Sequence, residues 1–177
     1  MKAPMTELRT SRLLLRRARP EDLHALHLVL SDERAMTYWT GPPHQELDQT
    51  REWLDSMLAS TPQESDDFVI ALDGRVIGKM GAYRLPDFGY ILSSRYWGLG
   101  LASEALAAFL AHVFTRPDVP RLRADVDPRN EASIRLVKRF GFVETGRASG
   151  TWNTHIGLCD SVYLGLEKAD YLARPAS

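Results

Sequence analysis

The N-terminal third of the chain combines a short apolar run with stretches whose apolar residues recur at helical spacing. Leu13-Leu14-Leu15, flanked by arginines, predicts a short buried strand. Pro20-Glu21-Asp22 predicts the start of a helix, because proline suits the first helical turn and acidic side chains suit its positive end. A second amphipathic helix is predicted over about residues 46–58.

The rest of the chain begins as a strand meander and then changes to helical periodicity. Asp73-Gly74 is a strong hairpin signal between two apolar segments. The predicted elements are, in chain order, strands at 68–72, 75–83 and 88–93, a helix at 102–113, a strand at 122–126, a helix at 131–140, and closing strands at 142–145 and 162–166. Residues 147–158 are expected to form a loop. Strands followed by alternating strands and helices predict an α+β fold, a mixed α/β sandwich with helices on both sheet faces.

Composition and charge limit the possible functions. The 177 residues are 44% hydrophobic and 25% charged with a net charge of −1, so we expect a single domain over 1–172 and a flexible tail at 173–177. A sequence pI near 6.5 argues against a nucleic-acid partner. No apolar run could cross a membrane or serve as a leader, so we expect no membrane association. The single cysteine, Cys159, excludes an intramolecular disulfide and a four-cysteine zinc site, and fits a cytoplasmic location.

Two closely spaced glycines, Gly98 and Gly100, lie between the strand at 88–93 and the helix that follows. Glycine lets the backbone approach a ligand closely, and the first turn of a helix offers free N–H groups and partial positive charge. Together these features predict an anion cradle suited to a pyrophosphate, although a tight turn explains the glycines equally well.

Two other phosphate-binding motifs can be compared with this loop. The triphosphate-loop string Gly-x4-Gly-Lys-Ser/Thr does not occur in the sequence. The dinucleotide fingerprint needs a small apolar residue where Ser103 stands, but Asp118 lies at a suitable distance for a ribose contact. A dinucleotide site is therefore weakened and stays open as an alternative.

A second polar constellation follows the strand at 122–126. Asn130 is a natural helix N-cap, and Asn130, Ser133 and Val137 fall on one stripe of the helix that it opens. That stripe is expected to face the neighbouring strand and any ligand beside it. The structural alternatives are capping alone for Asn130 and close helix packing for Ser133.

These two constellations, in this order, resemble the GNAT superfamily of N-acetyltransferases over nearly the whole chain. The family's pyrophosphate signature, Arg/Gln-x-x-Gly-x-Gly/Ala, aligns with residues 97–102, where Trp97 replaces the usual Arg or Gln. The Tyr-Trp-Gly-x-Gly form is typical of the ribosomal-protein-alanine N-acetyltransferase branch. That branch also tends to begin Thr-x-Arg-Leu-x-Leu-Arg, as residues 10–16 do, and its later signature is matched by Asn130, Ser133, Gly141 and Phe142.

The resemblance implies a mixed, mostly antiparallel sheet whose central parallel strands splay apart to hold acetyl-CoA as cosubstrate, with no metal. On this basis Ile91, Leu92 and Ser93 are expected to pair with the pantetheine, and Asn130 is expected to reach the pantetheine arm or the acetyl group. The backbone amides expected to hold the pyrophosphate are those of Trp97, Gly98, Leu99, Gly100, Leu101, Ala102 and Ser103.

Direct attack of an amine on a thioester needs a neutral amine, a donor for the oxyanion and a proton for the leaving thiolate. The resemblance suggests a backbone N–H near Leu92 as the oxyanion donor. Many family members carry a tyrosine seven residues after the asparagine, but Val137 cannot donate a proton, so Ser133 is the predicted acid or water anchor. Asp87 is the predicted base, acting through a water, because the branch usually has a glutamate there; a solvated strand-end acid is the alternative.

The acceptor is expected to be an amine bordered by Trp39, Trp152 and His155. At pH ~7.4, deprotonating an α-amine with a pKa near ~8 costs under about 1 kcal/mol, whereas a lysine near ~10.4 costs roughly 4 kcal/mol. A weakly equipped site therefore favours a protein N-terminal α-amine. The alternatives are a small-molecule amine (an aminoglycoside, a polyamine or an amino acid), a CoA-binding module without turnover, and a dinucleotide-dependent oxidoreductase. A homodimer is expected by analogy with the family.

Overall fold

The computed structural model describes residues 6–175, in which one eight-stranded sheet carries helices on both faces. The strands are β1 (Glu7–Arg9), β2 (Leu13–Arg16), β3 (Asp66–Leu72), β4 (Arg75–Arg84), β5 (Asp87–Leu92), β6 (Arg121–Val126), β7 (Val143–Thr154) and β8 (Gly157–Glu167). The helices are α1 (Leu23–Leu30), α2 (Leu47–Ala59), α3 (Leu101–Val113), α4 (Glu131–Arg139) and α5 (Lys168–Leu172), with 3-10 turns at Pro20–Asp22 and Ser94–Tyr96.

The strand order is β1-β2-β3-β4-β5-β6-β8-β7, and among the described residues every neighbouring pair is antiparallel except β5 and β6. That parallel pair is in register only at Asp87 and Arg123, where the Arg123 amide donates to the Pro86 carbonyl at 2.8 Å. Beyond this point the two strands diverge. The predicted mixed, mostly antiparallel sheet with splayed parallel strands at its centre is therefore confirmed.

The period-2 alternation of the strands divides the core between the two sheet faces. Phe68 and Ile70 of β3 belong to the larger cluster, which also contains the apolar faces of α3 and α4. Val69, between them, points to the opposite face and packs with Leu23 and Leu26 of α1 and with α2. Helices therefore cover both faces, as the sequence predicted.

The C-terminal hairpin corrects the sequence prediction. Residues 147–158, expected to be a loop, lie mostly within β7 and β8, which pair from Val143 opposite Gly165 to Thr154 opposite Gly157. Nearly every β7 side chain is exposed or only partly buried, and the pairing register shifts between Glu144 and Gly146 and again further along. The hydrophobic alternation that marks a half-buried strand is therefore missing from the sequence of β7. Its glycines, Gly146 and Gly150, are typical of loops, so the sequence predicted a loop.

The end of the described chain also differs from expectation. Helix α5 was not predicted, and its Tyr171 packs on Phe114 with ring centroids 5.0 Å apart. The expected flexible tail begins at Ala173, directly after α5, and its residues 176–177 lie outside the described residues. Within residues 6–175 no helix is long and apolar enough to cross a membrane.

Candidate active site

The diverging ends of β5 and β6 open into a cleft of about 1420 Å³. Its walls come from the α1–α2 connection, α2, the beginnings of α3 and α4, and Trp152 of the C-terminal hairpin. Typical small-molecule sites occupy about 300–1,000 Å³, so this cleft has room for two substrates side by side. We call the part next to residues 97–103 the α3 end, and the part next to Trp53 and Lys79 the α2 end.

The α3 end is a backbone cradle built by two glycines in left-handed conformation. Gly98 has φ +74° and Gly100 has φ +76°, a region that costs an L-residue roughly 1–2 kcal/mol. These turns bring the chain into the first turn of α3, and the amides of residues 98–103 have no hydrogen-bond acceptor within the described part of the chain. Free amides at the positive end of a 13-residue helix suit a phosphate, so the residues predicted to hold the pyrophosphate are brought together here.

The turn between β1 and β2 holds this cradle from outside. Arg12 donates from Nη1 to the Leu99 carbonyl at 2.9 Å and from Nε to Glu104 Oε2 at 2.7 Å. The Arg12 amide and the Thr10 and Ser11 hydroxyls also donate to the Glu104 carboxylate. Partial burial alone would raise the pKa of Glu104, but these hydrogen bonds outweigh it and lower the pKa to about 2. The Thr-x-Arg motif at residues 10–12 thus has a structural reason: it anchors the loop.

Trp97 closes the cradle on its strand side. Its indole N–H donates to the Leu92 carbonyl at 2.9 Å, and the Arg34 guanidinium lies 5.2 Å from its ring centroid. Asp32, at the end of α1, accepts the Ser94 amide at 2.7 Å. Burial alone would raise the pKa of Asp32, but backbone hydrogen bonds, chiefly from Ser94, lower it. The α1–α2 connection is therefore tied to the segment that follows β5.

The three residues predicted to bind pantetheine are all buried. Two of them are the last residues of β5, and the third follows directly after the strand. Ile91 packs towards α1, Leu92 belongs to the core beneath α3, and the Ser93 amide donates to the Ile77 carbonyl at 2.9 Å. Because β5 pairs with β6 only at Asp87, the strand edge beside these residues faces the cleft. The structure therefore places a free strand edge directly beside the cradle.

The first turn of α4 forms the opposite wall. Asn130 is the N-cap: its Oδ1 accepts the Ser133 amide at 3.3 Å. Ser133 is buried and Val137, one turn further, is 1% exposed. Both line the cleft together with Asn130, so the predicted polar stripe does face it.

Tyr90 completes this wall and was missed as a functional residue. Burial raises the pKa of Tyr90, and a hydrogen bond with Ser133 offsets part of that rise. Tyr90 shares a face of β5 with Phe88 and Leu92. Because both neighbours are apolar core residues, the sequence pattern made Tyr90 look like a core residue as well. The alternation of β5 was the available signal, because it places residue 90 on the face that α4 covers.

The structure does not bring Asp87 into the cleft. The cleft lining includes Phe88 but not Asp87. The Asp87 carboxylate accepts from Arg123 at 2.6 Å and from Arg84 at 3.2 Å. The role of Asp87 as a base stays a prediction that this geometry does not support.

The α2 end carries two of the three predicted acceptor residues. Trp39 is partly buried against Ile91, and Trp152 is 45% exposed and donates from its indole nitrogen to Asp125 at 2.9 Å. Both line the cleft, whereas His155 is exposed at the tip of the hairpin and lies outside the lining. Aromatic walls suit an acceptor of mixed polarity.

A buried ion pair forms the floor of the α2 end. Lys79 Nζ lies 2.6 Å from Asp67 Oδ2, and both residues are more than nine-tenths buried. The other carboxylate oxygen of Asp67 is the single buried side-chain oxygen without a hydrogen-bond partner in residues 6–175. The two residues are twelve positions apart, and only the β3–β4 register shows that they meet.

No group of three or more histidine, cysteine or acidic side chains in residues 6–175 could hold a metal ion. The cleft is instead a backbone cradle joined to a chamber with paired charges. A backbone cradle binds anions without a metal, so the site has the parts needed for a phosphate-bearing cosubstrate.

Comparisons with known proteins agree with this geometry. The Bacillus subtilis (strain 168) protein YkkB is 30% identical over 164 residues, which are 86% of this chain and 94% of that protein. The spermidine N(1)-acetyltransferase of Escherichia coli (strain K12) is 26% identical over 157 residues, covering 82% of this chain and 83% of the enzyme. Among solved structures, the RimL ribosomal L7/L12 alpha-N-protein acetyltransferase in complex with coenzyme A matches with a TM-score of 0.83 at 21% identity, covering 94% of this chain and 99% of that chain.

At 21% identity, the RimL likeness shows the shared fold. The model of the GNAT acetyltransferase domain matches residues 12–143, which contain the cradle, the strand edge and the first turn of α4. With three quarters of the chain matched, the protein belongs to the GNAT acetyltransferase family and is an N-acetyltransferase.

Proposed function

We propose that this enzyme transfers the acetyl group of acetyl-CoA to the α-amine of a protein N-terminus. The observation that carries the acceptor assignment is the charge balance of the cleft. Asp67 is paired with Lys79, and Asp127 is paired with Arg129 at 2.6 Å. A polyamine needs unpaired carboxylates, whereas a peptide N-terminus brings one amine and a carbonyl group.

The α3 end is the proposed donor site. Ile91, Leu92 and Ser93 present a strand edge that can pair with the amide groups of a pantetheine. The amides of residues 98–103 would hold the pyrophosphate, whereas the Trp97 amide already donates to the Ser94 carbonyl at 3.3 Å; Asn130 would reach the pantetheine arm. Solved relatives that bind coenzyme A, such as RimL, support this assignment.

The chemistry is a direct acyl transfer from a thioester to an amine. A carbon–nitrogen bond forms, the carbon–sulfur bond breaks, the amine loses a proton and the thiol gains one. Ser133 and Tyr90 both line this wall of the cleft, so either hydroxyl can pass a proton towards the leaving sulfur. Because its pKa is raised, Tyr90 is protonated at neutral pH and available as a donor.

Deprotonation of the acceptor needs little help if it is an α-amine. With a pKa near ~8, about a fifth of such amines are already neutral at pH ~7.4. Water in an open cleft then suffices as the proton acceptor, and the predicted base Asp87 is not required. This agrees with a site in which Asp67 and Asp127 are held in ion pairs.

Acetylation of a small-molecule amine is the second candidate. Asp125 lines the cleft, and within the described residues it has a hydrogen bond from Trp152 but no ion pair. An acid without a cation could attract a cationic acceptor. The similarity to a spermidine N(1)-acetyltransferase supports testing this class.

An acceptor panel read by mass spectrometry tests the proposal. The enzyme is incubated with acetyl-CoA and four acceptors: a peptide beginning with Ala or Ser, a lysine peptide with a blocked N-terminus, spermidine, and an aminoglycoside. We expect one added acetyl group on the free α-amine peptide alone. Acetylation of spermidine or the aminoglycoside in preference to the peptide would overturn the α-amine assignment.

A further inference from the structure

The buried Lys79–Asp67 ion pair lines the cleft, and none of the proposed steps of acetyl transfer uses it. Lys79 sits on β4 opposite Val69 of β3 and Ile91 of β5, so it lies on the sheet face that α1 and α2 cover. Neighbouring strands are about 4.8 Å apart, which puts the root of Lys79 one strand from the free edge of β5. A charged group this close to the proposed reaction centre influences what can bind beside it.

The ammonium of Lys79 has unused hydrogen-bonding capacity. An ammonium carries three donor protons. Within the described residues its single hydrogen-bond partner is Asp67, and the ring of Tyr83 lies 5.6 Å from Nζ. Both Lys79 and Tyr83 line the cleft. An oxygen atom of a bound molecule could therefore accept a hydrogen bond from Lys79 without displacing Asp67.

The same contact supplies the counter-ion of Asp67. Without Lys79, a buried carboxylate with one unpartnered oxygen would stand at the floor of the α2 end. That arrangement attracts cations, because a buried charge without a counter-ion costs several kcal/mol. Lys79 cancels this attraction, and the pair as a whole is neutral.

We propose that Lys79, held by Asp67, selects the acceptor: its ammonium binds the carbonyl oxygen next to the acceptor amine, and its charge cancels the attraction that Asp67 would otherwise exert on acceptors with a second positive charge. This inference deepens the proposed function and rests on it. A peptide N-terminus fits both requirements. Its first carbonyl carbon is bonded to the carbon that bears the amine, and its backbone adds no cation. A polyamine meets neither requirement.

The test measures acceptor preference in charge variants of the pair. Lys79→Met leaves Asp67 without its cation, Lys79→Arg keeps the charge, and Lys79→Met combined with Asp67→Asn removes both charges. Arg51→Met removes an exposed cation of α2 that lies outside the cleft lining, and serves as the matched control. For each protein, kcat/KM is determined with the Ala- or Ser-initiated peptide and with spermidine, and acetyl-CoA binding and thermal unfolding report the fold.

We expect Lys79→Met to raise the ratio of spermidine to peptide activity by about tenfold or more, since the buried Asp67 carboxylate then lacks its counter-ion and attracts a cation. Lys79→Arg should keep most of the wild-type preference, and the double variant should lose peptide activity without gaining spermidine activity. The Arg51→Met control should match wild type. If Lys79→Met fails to bind acetyl-CoA, the double variant decides, because it lacks the buried lone charge.

The outcomes separate this inference from the function on which it rests. If wild type acetylates the peptide but the ratio in Lys79→Met equals that of Arg51→Met, the pair has no selective role. If the double variant keeps the wild-type peptide KM, Lys79 does not bind the carbonyl oxygen. If wild type prefers spermidine, the proposed function itself is wrong.

Discussion

Ser133 makes two separate contacts in the site, one through its backbone and one through its side chain. Its amide is capped by Asn130 Oδ1, and its side chain lines the cleft together with Tyr90. The helix cap does not use the hydroxyl, so removing the hydroxyl leaves α4 in place. This separation allows a clean test of the proton-donor role.

We expect Ser133→Ala to lower kcat by roughly 10²-fold, the lower end of what a positioned proton donor supplies. The KM for acetyl-CoA should stay near wild type because Asn130 and the cradle are intact. Tyr90→Phe should lower kcat less if Ser133 delivers the proton, and more if Tyr90 does. Steady-state kinetics of both variants measure this, and a Ser133→Ala enzyme with wild-type kcat would contradict the assignment.

Single residues also show where sequence reasoning stops. Asn130 and Ser133 could be predicted because both lie within one helical turn and local spacing determines their common face. Asp87 could not be judged locally, because its ion-pair partner Arg123 comes from β6, 36 positions along the chain. Lys79 and Asp67 escaped notice for the same reason: register between strands is a tertiary property.

Among the secondary structure elements, the β1–β2 turn supports the glycine loop before α3, in which Leu99 lies 87 positions after Arg12 in the sequence. Arg12 reaches the Leu99 carbonyl and Glu104 together, so one side chain holds both the glycine loop and the start of α3. Arg12 also neutralises Glu104, whose negative charge would otherwise oppose a bound pyrophosphate. The turn therefore acts on the proposed donor site alone.

Arg12→Ala should accordingly raise the KM for acetyl-CoA several-fold while kcat changes little, because the chemistry is remote from the turn. Lysine at this position should restore part of the affinity through its charge, though not the geometry of the guanidinium. Initial rates at saturating peptide and varied acetyl-CoA give the answer. A fall in kcat with unchanged KM would show that Arg12 acts elsewhere.

The Glu104 pKa of about 2 predicts a pH dependence of stability. Because this folded-state pKa lies below the usual 4.5, ionised Glu104 stabilises the fold fully above pH 4.5 and progressively less as the pH falls towards 2. Glu104→Gln should therefore melt below wild type at pH 7, and the gap should narrow between pH 4.5 and 2. Thermal unfolding across this range tests it; a constant gap would mean that the carboxylate charge is not involved.

The accuracy of the element prediction follows local pattern strength. Helix α3 and strands β3 and β4 have strong periodicity and a clear Asp-Gly turn, and all were predicted within a few residues. The β7–β8 hairpin was predicted as two short strands and a loop, because exposed polar side chains and register shifts hide its pairing. Its length matters for function, since it carries Trp152 to the cleft.

At the scale of the whole molecule, Asp66 of β3 links the segment after β2 to helix α3. This carboxylate is fully buried on β3 and accepts from Arg17 at 2.6 Å, from His112 at 3.0 Å and from Arg116 at 3.4 Å. Burial alone would raise the pKa of Asp66, but hydrogen bonds from His112 and Arg17 lower it. The acid thus joins the end of β2 to the end of α3.

Asp66→Asn should destabilise the protein by about 2–3 kcal/mol, because Arg17 and Arg116, which are partly buried, lose a charged hydrogen-bond acceptor. Asp118→Asn removes an exposed partner of the same Arg116 and should unfold close to wild type. Urea denaturation of the two variants measures the difference. Equal midpoints would show that burial of the Asp66 network does not contribute to stability.

The single parallel contact between β5 and β6 divides the sheet into two halves, β1–β5 and β6–β8–β7. A substrate that pairs with the free edge of β5 joins these halves as an additional strand would. At about 100 times its dissociation constant such a ligand stabilises the folded state by about 2.7 kcal/mol. The stability of the enzyme would then follow the supply of its own acetyl donor: when that metabolite is scarce, more of the enzyme unfolds, and degradation would remove an enzyme that has nothing to transfer.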